Sequence, residues 1–332
     1  MTKRLTFATI VALAVSGGSA LAADLPSYKA PLPPPPPPPP LWTGFYAGLN
    51  AGYGFGTTNQ VNTASFPVQD TLAALTAPLS PFLVSNFRFG SSSLANTGTA
   101  NVNQNGFIGG GQIGYNWQFY NSFVAGVEAD IQGAGIRGRG GYSGVGADSL
   151  NFANLVTVNR TAIGSGDIQA GIDWMGTVRG RLGWLALPTL MVYGTGGLAY
   201  GGVYANATHS AAGTASLSVL GFPIASLGAP VVPGTARYSD TRVGWTAGGG
   251  FEWMLMPGWS VKAEALYYDL GSATMASSPV IYMSPISIPF LGIGGPLAAN
   301  VPTSRIKYDG VIARAGVNYH FNWGSAPIVA KY

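Results

Sequence analysis

Along eight stretches of this chain, the charged residues fall on one side of a strict alternation and the large aromatic and aliphatic residues mainly on the other. In Trp259 to Tyr268, Trp259, Val261, Ala263, Ala265 and Tyr267 share one parity, and Lys262 and Glu264 share the opposite one. From Val311 to Phe321 the apolar residues Val311, Ala313, Ala315, Val317, Tyr319 and Phe321 oppose Arg314, Asn318 and His320. Trp174, Val178, Leu182 and Trp184 oppose Arg179 and Arg181, and Trp245, Phe251 and Trp253 oppose Glu252. A strand of this kind has one oily face and one wet face. In a soluble sandwich the wet face would be rich in Lys and Glu, yet here it is half glycine and charged residues are 8% of the chain. The pattern predicts a barrel turned inside out, with lipid outside and a polar lumen within.

The eight predicted strands are approximately 44 to 55, 105 to 118, 122 to 133, 173 to 186, 189 to 203, 241 to 255, 259 to 271 and 309 to 321. Each has about the 9 to 11 residues that a tilted membrane strand needs. Their connections alternate in kind. Tyr120-Asn-Ser122, Leu187-Pro-Thr189 and Met256-Pro-Gly258 are tight turns, whereas 56 to 104, 134 to 172, 204 to 240 and 272 to 308 are long tracts rich in Ala, Ser, Thr, Gly and Pro. Short periplasmic turns and long external loops give this alternation, and an even strand count places both barrel ends in the periplasm. The fold expectation is all-β: an eight-stranded antiparallel transmembrane β-barrel with long extracellular loops. Trp42, Tyr46, Tyr53, Trp117, Trp174, Trp184, Trp245, Trp253, Trp259 and Tyr267 cluster towards strand ends, as interfacial aromatic girdles would.

Composition changes this picture little. With 49 glycines, 12% aromatics and no run of about 18 apolar residues after the start, the 332-residue chain fits neither a helical membrane protein nor an ordinary α/β enzyme. The start reads as an export signal over 1–22, with Lys3 and Arg4, an apolar Leu5 to Val15 and a small-residue cleavage site at Ala20-Leu-Ala22. Cleavage removes two of the 16 basic residues and none of the 12 acidic ones, so the mature charge is 14 minus 12, or +2. That charge offers no basic field for nucleic acid. Residues 23–41 form a proline-rich periplasmic spacer containing an unbroken Pro33 to Pro40, 42–321 the barrel, and 322–332 a C-terminal tail. The proline run rises about 3.1 Å per residue, so ten such residues reach roughly 30 Å.

With the signal, the eight segments and the closing Arg314-Ala-Gly-Val-Asn-Tyr-His-Phe321, the chain resembles the small outer-membrane β-barrel proteins of α-proteobacteria. These are porin-like or immunogenic surface proteins related in architecture to the OmpA barrel. Trp42-Thr-Gly-Phe-Tyr-Ala-Gly-Leu-Asn-Ala-Gly-Tyr53, Gly176-Thr-Val-Arg-Gly-Arg-Leu-Gly183 and Tyr193-Gly-Thr-Gly-Gly-Leu-Ala-Tyr200 look like the family's strand phrases. The resemblance covers nearly all of the mature chain beyond the prolines. It implies residence in the outer membrane of a Gram-negative bacterium, contact with outer-membrane lipid and lipopolysaccharide, and delivery by the barrel-assembly machinery. It implies that a terminal aromatic is the assembly signal, with Phe321 and Tyr332 as the candidates and Phe321 favoured. It further implies that a mature Ala-Asp start, here Ala23-Asp24, can be an acceptor for covalent attachment to peptidoglycan, against the plainer reading that Ala-Asp simply follows the cleavage site.

The lumen parity collects Glu128, Asp130, Glu252 and Glu264 against Arg179, Arg181, Arg242, Lys262 and Arg314, four acids facing five bases. Eight strands leave an interior that side chains can fill, so a structural ion-pair network is the first expectation. A narrow pore is the alternative, with Gly110, Gly114, Gly244, Gly248 and Gly250 leaving space. Gly109-Gly-Gly-Gln-Ile-Gly114 matches a dinucleotide-binding spacing, but that motif needs a following helix and a strand is predicted instead. The two histidines, His209 and His320, have no convincing catalytic partner in sequence, and no cluster suggests a metal or a cofactor. The functional expectation is a non-enzymatic structural barrel contributing to envelope integrity and tethered to peptidoglycan. A small diffusion porin is the runner-up, and a surface adhesin acting through its loops is the third reading.

Overall fold

The computed structural model describes residues 41–68, 90–152, 155–229, 231–283 and 296–321. The signal, most of the spacer with Ala23 and Asp24, and the tail with Tyr332 lie outside the described residues. The elements in chain order are β1 (Gly44–Gly56), β2 (Gln60–Pro67), α1 (Gly90–Ala95), β3 (Gly98–Asn101), β4 (Asn105–Phe119), β5 (Phe123–Phe152), β6 (Val156–Leu187), β7 (Leu190–Val219), β8 (Phe222–Ala229), β9 (Val231–Val232), β10 (Gly234–Met256), β11 (Trp259–Ala276), β12 (Val280–Met283) and β13 (Pro296–Phe321). Eight of them close a ring, β1-β4-β5-β6-β7-β10-β11-β13, through an antiparallel β1–β13 seam running from Phe45↔Phe321 to Gly56↔Gly310.

Register fixes the shape of this ring. The chain of partners Tyr46, Gly114, Glu128, Arg179, Gly197, Thr246, Tyr268, Gly310 returns to β1 at Gly56, a stagger of 56 minus 46, or ten residues. Ten residues of rise against eight strand spacings tilt the strands by about 40°. At that tilt the ten residue steps from Phe45 to Phe55 climb about 25 Å, the height of an outer-membrane apolar band. Over this height the outer surface carries Phe45, Leu49, Phe107, Ile113, Trp117, Val127, Ile131, Val178, Leu182, Trp245, Phe251, Trp253 and Val317, all exposed. Water would not tolerate so continuous an apolar belt, and hydrocarbon satisfies it.

Each of the eight predicted strands is a ring strand, but the long connections are mostly sheet. β6 has 32 residues and β5 and β7 have 30 each, about three times what about 25 Å of membrane requires. Tract 134–172 is the upper part of a continuous β5–β6 pairing that runs on to Phe152↔Val156, and 204–240 continues β7 into β10 and β8. Polarity reverses above the belt. Ile136, Ile168, Ala170, Ile172, Val203, Ala205, Ile306 and Tyr308 are buried inside, while Arg139, Gln169, Asn206, Arg237 and Thr208 face out. Two irregularities set the phase on their strands. Going up the barrel, one at Asp173, between Ile172 and Trp174, moves the inward set of β6 from odd to even positions, and one at Gly271, where φ is 78°, moves that of β11 from even to odd. The upper half is therefore a β-sheet extension with an apolar inside and a water-facing outside, standing on an inside-out barrel.

Candidate functional site

The interior is built in three layers. At the end that carries the tight turns, Trp42 enters the mouth and is fully buried against Val124, Leu185, Met191, Tyr193 and Met254. Its indole Nε1 donates to Pro188 O at 3.0 Å, its amide donates to Gln118 Oε1 at 3.2 Å, and its ring meets His320 edge-on at 5.7 Å. Placement of Trp42 and Tyr46 in the interfacial aromatic girdles is corrected here: both lie inside, Tyr46 because it shares the inward parity of Asn50 and because β4 places Gly114 beneath its ring. A Cβ at Gly114 would sit 2.3 Å from the Tyr46 hydroxyl. This lumen glycine leaves its space to a side chain and not to a channel.

The middle layer brings together eight of the nine charged residues expected in the lumen. Arg179 bridges Glu264 at 3.1 Å and Asp130 at 3.1 Å and also pairs with Glu128. Arg314 holds Glu264 at 2.6 Å and Asp130 at 2.8 Å, and Lys262 holds Glu128 at 2.9 Å and Glu264 at 3.0 Å. Arg181 joins Glu252 at 2.6 Å and Glu128 at 3.4 Å, its guanidinium lying 4.3 Å from the Tyr193 ring. Arg242 is not brought in. It sits above this layer, half-buried, with Nη1 donating to Tyr238 Oη at 3.3 Å and Nη2 donating to the Ser272 carbonyl. Four acids thus face four bases, and the layer is neutral.

Sequence reasoning missed the neutral groups that complete this network. Tyr46 donates to Glu128 at 2.7 Å, Thr177 to Asp130 at 2.8 Å, Tyr193 to Glu264 at 3.2 Å and Asn318 to Glu252 at 2.7 Å. Their inward parity was readable, but Tyr46 was assigned by residue type to the membrane interface. Ser260, His320 and Glu252 also meet, with His320 Nε2 3.0 Å from Ser260 Oγ and 3.1 Å from Glu252 Oε1. Both contacts use the same ring nitrogen, so no acid orients the far side of the imidazole as a nucleophilic relay needs. The glycine-rich Gly109 to Gly114 lies within β4, which leads through a turn to β5, so no helix N-terminus is there to receive phosphate.

The upper layer is apolar. Ile108, Ile136, Ile172, Met175, Leu266, Leu270, Tyr268 and Ile312 fill the barrel above the ion pairs. Higher still α1 lies within the external extension, its Ser92 fully buried and Ser91, Ser93 and Ala95 buried with it. Asn300 Nδ2 donates to Ser92 Oγ and Asn96 Nδ2 donates to Asn300 Oδ1 at 3.2 Å. Tyr142 donates to Asn96 O at 2.7 Å, so His209 presents Nδ1–H to the Tyr142 oxygen at 3.1 Å. Burial pushes His209 down to about 4 and the Tyr142 phenol up to about 12, which keeps both neutral. Arg160 and Asp148 pair close to the first residue of α1.

Among the described residues, every other charge lies in a collar of roughly 20 Å above the outer aromatics: Arg137, Arg139, Arg237, Arg242, Arg305 and Lys307 with Asp167, Asp173, Asp240, Asp269 and Asp309. Below the collar, Trp174 and Tyr200 meet at 6.0 Å and Trp245 and Tyr267 at 5.3 Å, forming the outer girdle. At the other interface Trp259, Tyr319 and Phe321 stack in sequence at 5.1 Å steps, which places Phe321 as the last residue of β13 in the inner girdle.

No protein-family model matches the chain. It is similar to the 31 kDa outer-membrane immunogenic protein of Brucella melitensis, 33% identical over 275 residues that cover 82% of this chain and 89% of that protein. It is also similar to the 22 kDa outer membrane protein of Rhizobium leguminosarum, at 28% identity over 188 residues, 56% of this chain and 64% of that one. Among solved structures, the outer membrane protein OprG of Pseudomonas aeruginosa aligns with 84% of this chain and 96% of its own at 11% identity, with a TM-score of 0.34.

Proposed function

The chain belongs to the family of the 31 kDa outer-membrane immunogenic protein and resides in the outer membrane, and from that premise we propose that it is a non-conducting, non-enzymatic structural barrel that braces the envelope and carries a rigid β-extension at the cell surface. The observation that carries this reading is the filled interior. From Trp42 through the neutral ion-pair layer to α1, side chains occupy the barrel at every level, and at Gly114 the space that would have helped open a pore is taken by Tyr46. A diffusion porin needs a continuous water column, which larger barrels provide and eight-stranded ones close with side chains. The refolded mature protein in planar bilayers gives no conductance steps above leak; steady single-channel steps would restore the porin reading.

A tether to the cell wall follows the same logic at the other end. Trp42 pins the chain in the periplasmic mouth as it enters β1, so the preceding segment joins the barrel at that end. A stiff spacer there holds the barrel at a set distance from the wall while Ala23 carries the covalent link and Asp24 follows it. Muramidase digestion followed by mass spectrometry shows muropeptide on the Ala23 amine. A free amine throughout removes the tether and leaves the barrel reading standing.

A further inference from the structure

The outer wall of the collar on β5, β6, β7 and β10 is organised by register. Arg139 pairs with Gln169, Gln169 with Asn206, and Asn206 with Arg237, so two guanidiniums flank two amides in one row across four strands. All four residues are exposed. Three strand spacings separate the two ends, about 14 Å. One step lower on β5 is Arg137, and Tyr204, two strands across, lies over Gly171, where a Cβ would stand 2.7 Å from the phenol oxygen and leave it no room. Arg139 is bound to Asp167 at 3.0 Å, but Arg137 and Arg237 have no ion-pair partner among the described residues. Of the acids nearby, Asp240 is occupied by the Tyr238 hydroxyl at 3.1 Å and the Thr241 amide at 2.8 Å, and Asp173 lies lower, beside the girdle.

Height decides what this row meets. Gln169 stands five residues above Trp174, four steps once the irregularity at Asp173 is subtracted, or about 10 Å above the girdle along the axis. Arg137 and Tyr204, two residues lower, stand about 5 Å above the girdle, inside the headgroup layer of about 5 to 8 Å, and the row itself stands at the outer edge of that layer, where the sugars of a glycolipid project. We propose that Arg137, Arg139 and Arg237, with Gln169, Asn206 and Tyr204 between them, form a binding site for the phosphorylated sugar headgroup of an outer-leaflet glycolipid. Guanidiniums suit phosphate because their planar fork donates in pairs, and the amides and phenol supply the donors and acceptors that sugar hydroxyls require. A headgroup held there fastens the external extension to its own membrane, beyond what the filled barrel does.

The test uses the full mature protein in detergent micelles, with native mass spectrometry counting retained lipid. The probes are a bis-phosphorylated glycolipid of the lipid A type, the same lipid after dephosphorylation, and the free glucosamine phosphate. Wild-type protein retains the phosphorylated lipid at least tenfold better than the dephosphorylated one. Arg137→Gln with Arg237→Gln removes that preference, whereas Arg305→Gln on the far side of the ring leaves it. Heat-shift on gels confirms that each variant is folded. Equal retention of the two lipids, or an unchanged double variant, overturns the site. Free sugar phosphate bound as tightly as the lipid overturns the lipid assignment and leaves an ion site. None of these readouts depends on conductance or on the wall tether.

Discussion

At the scale of single residues, the membrane half is governed by the fact that none of its buried charges is alone. Arg179 touches three acids, and removing it leaves Glu128, Asp130 and Glu264 with one positive partner fewer in a site that water does not reach. Breaking such a set is far more damaging than never having built it, because the desolvated charge that remains is uncompensated. Arg179→Met costs about 3 to 5 kcal/mol in urea-induced unfolding from lipid vesicles, and adding Glu264→Gln to it recovers part of the loss by restoring neutrality. His209 governs the external half by the opposite means, since it is buried without a charge partner. Its folded-state value near 4 lies below the usual imidazole value of about 6.5, so the fold holds it neutral. The stabilisation is therefore complete above pH 6.5 and is lost as pH falls towards 4, where the unfolded segment takes up a proton that the folded one refuses. Across that window the α1 region loses up to about 3 kcal/mol of protection. Hydrogen exchange of residues 90–101 and 300–306 at pH 7 and pH 4.5 reads this directly, and His209→Gln flattens the dependence; a wild-type profile independent of pH refutes it.

At the scale of elements, the eight strands were legible because each carries an alternation that hydrocarbon enforces: one misplaced charge on the lipid face would be costly, so the code is strict. The external continuation of the same strands was not legible, for a physical reason. Residues 134–172 and 204–240 form a two-faced sheet whose inner face uses Ala and Gly as often as Ile or Val, and whose outer face uses Ser, Thr, Asn and Gln. Ser165 meets Ser210 at 3.0 Å and Thr161 meets Thr214 at 2.9 Å across that face, pairs with the composition of a loop and the geometry of a ladder. The lumen charges were found by parity, and Arg242 was misplaced because parity ignores height: it has the inward phase but stands above the ion-pair layer, where backbone carbonyls satisfy it. Asp173 was invisible for a related reason, since a single inserted residue moves no hydrophobic count while inverting every side chain beyond it. Deleting Asp173 turns Ile172, Ala170 and Ile168 outward against their own pairing with β5 and β7. The expected outcome is a barrel that still shifts on heating but whose residues 134–172 are cut by protease on intact cells, whereas wild-type cells keep this segment whole.

At the scale of the whole molecule, two halves of opposite polarity share six of the eight ring strands, β5, β6, β7, β10, β11 and β13, and the seal between the two sides of the membrane is distributed over three layers. Trp42 closes the periplasmic mouth in a cluster with Val124, Leu185 and Met254, and it meets the ion-pair layer through Met191, Tyr193 and His320. α1 closes the outer end through Asn300, Tyr142 and the glycine-lined walls at Gly146 and Gly164, where a Cβ would meet helix backbone at 2.0 Å and 2.3 Å. Between them the Tyr46, Arg181, Glu128 and Arg179 set spans the lumen from β1 to β6. A gated channel would concentrate its resistance in one movable element, so that removing this element opens it. A structural plug spreads it. Trp42→Ala and deletion of residues 90–95 therefore each leave the barrel silent in planar bilayers, and so do the two changes together, because the neutral layer still fills the cross-section. Conductance arises only when Tyr46, Glu128 and Arg181 are all replaced by alanine in that double background. Steps from Trp42→Ala alone would identify a single periplasmic gate and turn the structural reading of this barrel into that of a closed channel.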